Sequence, residues 1–147
     1  MRFEPTMKQA VIRRTVRKFA EEKLVPVASE IDRTGRFPSE VAAEMALLNY
    51  FGLVIPQPYG GAGLDMVSYA IVVEEVSRAC AAMGLCISVH NSVATYPVYE
   101  FGSEEQRQRF LLPLAKGEKI GTFCLTEPNA GSDASSLETL AVREGEG

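Results

Sequence analysis

Between Thr122 and Asp133 the chain reads Thr-Phe-Cys-Leu-Thr-Glu-Pro-Asn-Ala-Gly-Ser-Asp, an apolar, β-like segment running into a loop of small and hydroxyl-bearing residues. Thr126 stands where the apolar segment ends, so its hydroxyl and amide can face a ligand lying across that end. Pro128 stiffens the exit. Asn129, Ala130, Gly131 and Ser132 offer successive backbone amides with little side-chain bulk, and Ser132 adds a rotatable donor. Such a loop lets backbone approach a planar ring or a phosphate closely. The same residues also describe an Asx/Ser turn between two strands. On the residues alone both readings stand.

Other groups with chemical potential are few. Glu127 and Asp133 are placed where a base could act, but a structural role fits them better: Glu127 holding neighbouring amides, Asp133 closing a turn. His90, the one histidine, lies in a largely apolar helix and reads as a satisfied core or pocket-wall residue rather than a catalytic one. Cys80, Cys86 and Cys124 lack metal-ligand spacing, and a single histidine cannot complete a usual zinc site. An odd cysteine count among apolar neighbours reads as reduced, buried thiols in a cytosolic protein. The Gly60-Gly61-Ala62-Gly63 run suggests a phosphate loop, yet the lysine of that motif is missing and no full strand precedes it, so turn geometry is the better account.

The chain has 147 residues, 46% apolar and 23% charged, with a net charge of −4. Length suggests one core, and the charge argues against a nucleic-acid partner. The cluster Arg13, Arg14, Arg17 and Lys18, followed by Glu21 and Glu22, reads as a solvated helix face. No apolar run approaches the ~18 residues that span a bilayer, and Met-Arg-Phe-Glu-Pro does not resemble a secretory signal.

Helical periodicity dominates to about residue 118. Thr6 and Gln9 fit a capping box, and the helix they open places Ile12, Val16, Phe19, Ala20, Val27 and Ile31 on one stripe. Pro26 should kink or split it, and Gly35 should stop it. Pro38 and Ser39 start a second helix through about Asn49. Leu53-Val54-Ile55 is a short extended piece before a long turn. Asp65 or Ser68 caps a third helix to about Ala82, with Met66, Tyr69, Ala70, Val73, Val76 and Cys80 inward and a Glu74–Arg78 pair on its wet side. A fourth helix, about Gly84 to Phe101, carries few charges and is expected to be buried on most sides, with Pro97 bending or interrupting it. Ser103 and Gln106 cap a fifth, ending near Lys116-Gly117. Two strand candidates follow, Ile120 to Thr126 and Leu137 to Arg143, and the final Glu-Gly-Glu-Gly reads as a turn.

The stretch from Ile120 to Asp133 closely resembles the first signature of the acyl-CoA dehydrogenase flavoproteins. Upstream, EIDRTGRFP, FGLVIPQPYGGAGLD, VEEVSRACAAMG, SVHNS and FGSEEQRQRFLLPLAKGEKIG agree in order, so the likeness covers essentially the whole chain. It implies an all-α N-terminal helical domain over 1–118 and, over 119–147, the first strands of a truncated middle β domain, with the C-terminal helical domain absent. It further implies FAD and an acyl-CoA thioester bound between domains. Phe123, Leu125 and Thr126 would line the flavin, Thr126 by hydrogen bonding the isoalloxazine edge. Gly131 and Ser132 would lie along the FAD phosphates, and Ser132 also near the substrate's pantetheine. Cys124, alternating out of that set, would be a buried spacer, and Tyr96, Tyr99 and Phe101 are candidates for an acyl pocket or for core packing.

The family's reaction is α,β-dehydrogenation to the trans-2-enoyl-CoA, with FAD as hydride acceptor and a carboxylate base that usually lies far beyond residue 147. The resemblance therefore implies a fragment with no catalytic residue of its own, inactive alone. The parent would be a cytoplasmic homotetramer in fatty acid metabolism, passing electrons to an electron-transfer flavoprotein, with a preference for short or branched acyl-CoA. Acyl-CoA oxidases, flavin monooxygenases and a non-catalytic helical scaffold are the alternatives. Asn129, where many relatives have glycine, and Asn49-Tyr50, in place of a small-residue turn, are departures from the family pattern.

Overall fold

The computed structural model describes residues 4–145. The readings of the Met-Arg-Phe start and of the last two residues of the terminal turn lie outside them. Helix α1 (Met7–Phe19) opens on the expected capping box: the Thr6 hydroxyl accepts the Gln9 amide at 3.3 Å, and the Gln9 side chain accepts the Thr6 amide at 2.9 Å. Two of the donors a helix start leaves free are thereby satisfied. The predicted stripe does meet the core, and Leu24 joins it fully buried.

At Pro26 the run changes its winding while staying helical. A wide π-helical turn (Ala20–Leu24) precedes α2 (Val25–Thr34), and the Val25 amide bonds five residues back to Ala20. Proline has no amide and its ring crowds the carbonyl four residues before it; an extra residue in the preceding turn relieves the crowding while the chain stays helical. The device returns twice. Helix α5 (Ala81–Val89) widens at His90–Thr95 before α6 (Tyr96–Phe101) with its Pro97. Helix α7 (Glu104–Gln106) widens at Arg107–Leu111 before α8 (Leu112–Ala115) with its Pro113. The second capping box, Ser103 with Gln106, forms as predicted.

Between these runs lies α3 (Ser39–Leu47), beyond which Asn49 takes a left-handed conformation with φ 59°. The glycine-rich stretch that follows is a turn. Ala62 and Leu64 donate to the Gly52 and Leu53 carbonyls, each at 2.8 Å, and a Cβ on Gly61 would run into the Ile55 and Gly52 carbonyl oxygens.

Helix α4 (Met66–Ala79) is capped by Asp65, whose carboxylate accepts the Ser68 amide at 2.9 Å. Its buried face differs from the expected one. Ser68, Ile71, Val72, Glu75 and Val76 point inward, while Met66 and Ala70 are exposed. The expected stripe left Glu75 out; three arginines, Arg13 at 3.7 Å together with Arg17 and Arg78, bring it in. Arg17 grips Glu75 with two bonds of 2.8 and 2.9 Å, and Arg78 adds one of 2.8 Å. Glu74 therefore pairs with Arg13 at 2.9 Å instead of with Arg78, and half of the basic cluster read as solvated is a clamp between α1 and α4. The following break falls at Cys80, in extended conformation, so the next helix begins at Ala81. That helix is less buried than expected, since Leu85, Val93 and Tyr96 are exposed along its run.

The main core gathers α1 through α5 around Leu24, Met45, Phe51 and Ile87, and a smaller cluster of Ile55, Leu111 and Ala115 closes the other end. Residues 119–145 pack against little of it. The strands expected at Ile120 to Thr126 and Leu137 to Arg143 are not paired: among the described residues one isolated antiparallel bridge, Glu127 with Ala130, is the only β pairing. A strand is defined by its ladder, and these segments have none to join. Cys124, expected buried, is exposed. Among the described residues no helix is long and apolar enough to cross a membrane, and no group of three His, Cys, Asp or Glu side chains could hold a metal.

Candidate functional site

The loop from Phe123 to Ser132 is shaped by its own backbone. The Glu127 amide donates to the Ala130 carbonyl at 2.8 Å, and the Ala130 amide returns a bond of 3.3 Å. Pro128 and Asn129 form the tip of this tight turn, which brings Gly131 back beside Thr126. A Cβ built on Gly131 would lie 3.3 Å from the Thr126 Cγ2 and 3.8 Å from its Oγ1. Of the five candidate binding residues, these two are therefore adjacent. Phe123, Thr126 and Ser132 are exposed, and Leu125 and Gly131 are half-buried. Among the described residues the Gly131 and Ser132 amides have no backbone acceptor. The result is a small ledge where the Thr126 hydroxyl lies beside Gly131, followed by two open amides, with the exposed Phe123 ring three residues before Thr126.

Both carboxylates near the ledge are engaged as expected. Glu127 reaches across the loop and accepts the Glu138 and Thr139 amides at 2.8 and 2.9 Å. The Thr139 side chain and these two amides hold its carboxyl below the ordinary value. Asp133 accepts from the Ser135 hydroxyl and from Ser136 Oγ at 2.6 Å, and these bonds likewise lower it. A carboxylate that is already anionic and surrounded by donors is a weak base. Neither is suited to removing a proton from carbon.

His90 is fully buried, as a satisfied core residue should be. Its Nδ1 accepts the Gly121 amide at 3.0 Å. A backbone N–H can only donate, so Nδ1 is unprotonated and Nε2–H donates to the Leu114 carbonyl, also at 3.0 Å. Phe51 packs edge-on against the ring at 5.0 Å, and burial pushes the imidazole below its ordinary value. Neighbouring Asn91 was missed by sequence reasoning. Its Oδ1 accepts the Leu53 amide at 2.8 Å, and its Nδ2 donates to the Tyr50 and Ile87 carbonyls at 2.9 and 2.8 Å. The available signal was the His-Asn pair, two large polar side chains in the uncharged run 84–99.

Beside this pair lies a mostly apolar cleft of about 270 Å³, lined by Val54, Met66, Tyr69, Asn91, Ser92 and Tyr96. Of the three aromatic candidates only Tyr96 lines it. Tyr99 packs on Tyr59 at 5.9 Å beneath the Arg107 guanidinium, and Phe101 is 85% exposed.

Comparison with known proteins bears on both parts of the chain. Residues 6–118 match the family model for the acyl-CoA dehydrogenase N-terminal domain. The chain is 47% identical over 146 residues to the short-chain specific acyl-CoA dehydrogenase of Clostridium acetobutylicum, covering 99% of itself and 38% of that protein. A structure named for the electron transferring flavoprotein of Acidaminococcus fermentans superposes with a TM-score of 0.92 at 39% identity, over 99% of this chain and 38% of that one. A glutaryl-CoA dehydrogenase from Mycobacterium smegmatis, in complex with FADH2, gives a TM-score of 0.89 at 34% identity, over 96% of this chain and 36% of that one. The chain thus spans a little over a third of the length of these relatives. With a family model covering most of its residues and its helices superposing on those of solved relatives, the chain belongs to the acyl-CoA dehydrogenase family, whose N-terminal helical domain it carries.

Proposed function

We propose that this chain is the N-terminal part of an FAD-dependent acyl-CoA dehydrogenase, supplying a helical domain and one edge of the flavin site. The observation that carries the reading is the ledge at Thr126 and Gly131, on a chain of this family. Its features suit the group: an exposed ring and a hydroxyl for a planar heterocycle, and open amides at a glycine for a phosphate. Phe123 and Leu125 would pack on the flavin, Thr126 would donate to its edge, and Gly131 with Ser132 would hold the phosphates, Ser132 also meeting the substrate's pantetheine. Bound there, FAD supplies the hydride-accepting chemistry of α,β-dehydrogenation. The residues of this chain bind and orient, and the base that takes the α-proton comes from outside it. Both strand candidates would pair once the remainder of a β domain offers them a ladder. Tyr96 and its cleft would receive a short acyl tail. The proposal extends to a homotetrameric, cytoplasmic parent that passes electrons to an electron-transfer flavoprotein.

Two measurements test this reading. Purified alone, the 147 residues are expected to be colourless and to reduce no dye with any acyl-CoA; a stoichiometric flavin spectrum would show that the site is already complete. In the intact enzyme, Thr126→Val keeps the shape and removes the hydroxyl, and is expected to weaken FAD binding by roughly five- to tenfold, the worth of one hydrogen bond. Unchanged flavin affinity would remove Thr126 from the site.

A further inference from the structure

We propose that His90 is a positioning residue: through its two ring nitrogens it fastens the segment leading into the Phe123–Ser132 loop, at Gly121, to the end of the last helix, at Leu114. The two bonds, each 3.0 Å, use both ring nitrogens of one neutral imidazole in a site with no solvent exposure. The ring itself is immobilised by Phe51 at its edge and by the wide turn His90–Thr95 on which it sits. Asn91, next along that turn, fixes the Tyr50 and Leu53 backbone. The π-helical turn thus aims adjacent side chains at two different non-helical segments, holding both to one rigid frame.

The fastening matters because little else holds the segment. Beyond Gly121, Ala130 is the only buried residue among those described. Gly121 lies two positions before Phe123, so fixing its amide sets where the loop begins. The contact also requires glycine. A Cβ at Gly121 would lie 2.7 Å from the Ala94 Cβ and 3.3 Å from the Leu114 Cδ2, so any side chain pushes the segment away from the imidazole. The ring is both too enclosed and too fully bonded to exchange protons with a substrate. Its effect reaches the ledge only through Gly121.

Three variants of the chain, followed by amide hydrogen exchange, test this. In His90→Gln the side-chain amide reaches the Nε2 position and keeps the Leu114 bond, but offers Gly121 no acceptor. In His90→Asn the shorter amide reaches the Nδ1 position and keeps the Gly121 bond, losing Leu114. The Gly121 amide and its successors to Thr126 are expected to exchange about tenfold faster in His90→Gln, as one lost hydrogen bond allows, and at the wild-type rate in His90→Asn. Gly121→Ala, which leaves the helix sequence intact, should match His90→Gln. The Ile87 amide in each variant reports any general loosening of the helix. Equal acceleration in both His90 variants, or none in His90→Gln and Gly121→Ala, overturns the proposal. The consequence for a flavin rests on the function proposed above. The exchange measurement contains no flavin, so failure of that function would instead show as absent FAD binding by the intact enzyme.

Discussion

Asn91 closes three backbone groups of two segments with one side chain, all within the core. Asn91→Ala leaves the Leu53 amide and the Tyr50 carbonyl without this partner, while the Ile87 carbonyl keeps the His90 amide, and is expected to cost about 2–3 kcal/mol, read as a lower urea midpoint at unchanged slope. Tyr50 is the opposite case. Its hydroxyl is buried with no hydrogen-bond partner among the described residues, and burial alone pushes it up to about 12. Tyr50→Phe keeps the edge-on contact with Phe19 at 5.5 Å and removes the stranded hydroxyl, so stability should hold or rise by up to ~1 kcal/mol. A loss of more than that would mean the hydroxyl is satisfied. His90 sets a pH dependence. Its folded pKa lies below the ordinary 6.5, so the unfolded chain takes the proton first as pH falls. Stability is complete above about 6.5 and declines below it; thermal midpoints between pH 7.5 and 5.5 should show the decline, and His90→Asn should flatten it. Sequence reasoning read His90 correctly as satisfied but could not name its partners, since Leu114 and Gly121 lie 24 and 31 residues away. Such pairings belong to tertiary structure and leave no local pattern.

The helices were more legible than their faces. Both capping boxes, the Asp65 cap and the Gly35 stop are local chemistry, and all four form. The inward face of α4 was misread because Glu75 counts as polar in any periodicity, while its three arginines come from 58 and 62 residues upstream and from the next turn. Arg17 and then Arg78 hold the Glu75 carboxyl below its ordinary value against the opposing effect of burial. Glu75→Gln leaves that cluster without its anion. The expected loss is on the order of 2 kcal/mol, less than for a wholly buried pair because the arginines reach solvent. Denaturation at two salt concentrations checks it: screening should change this buried contact less than it changes the exposed Arg36–Glu40 pair. The β-strand candidates were read from composition, which is correct as propensity and silent on whether a neighbour exists.

Taken together, the chain is a well-packed helical body with an almost unburied extension, and the candidate site lies on the extension. The role of Asp133 could be read from residue types, because Asx and Ser chemistry is local, whereas Glu127 could be expected to hold amides but not those of Glu138 and Thr139, 11 and 12 residues away. The adjacency of Thr126 and Gly131, the exposure of Cys124 and the tether at Gly121 could not, because they depend on where the backbone returns. Glu127 is the last link in that extension. Its carboxyl is held low by Thr139 and the two amides, so the clamp on residues 138 and 139 persists through neutral pH and is lost as pH falls through its lowered folded value. Exchange of the Glu138 and Thr139 amides in acid should accelerate before that of the helices; simultaneous exposure would show the clamp to be independent of this charge.

The wide turns before Pro26, Pro97 and Pro113 also bear on how such a chain can change over generations. Each is, in register, one residue more than a plain helix needs. Removing that residue would rotate everything downstream by ~100° about the helix axis, carrying buried side chains into water, and would press the proline ring against the carbonyl behind it. Reversal therefore takes at least two coordinated changes, a deletion and the loss of the proline. The extra residue and the proline are therefore linked, and in this chain the wide turn at His90–Thr95 is what keeps His90 and Asn91 on the buried side.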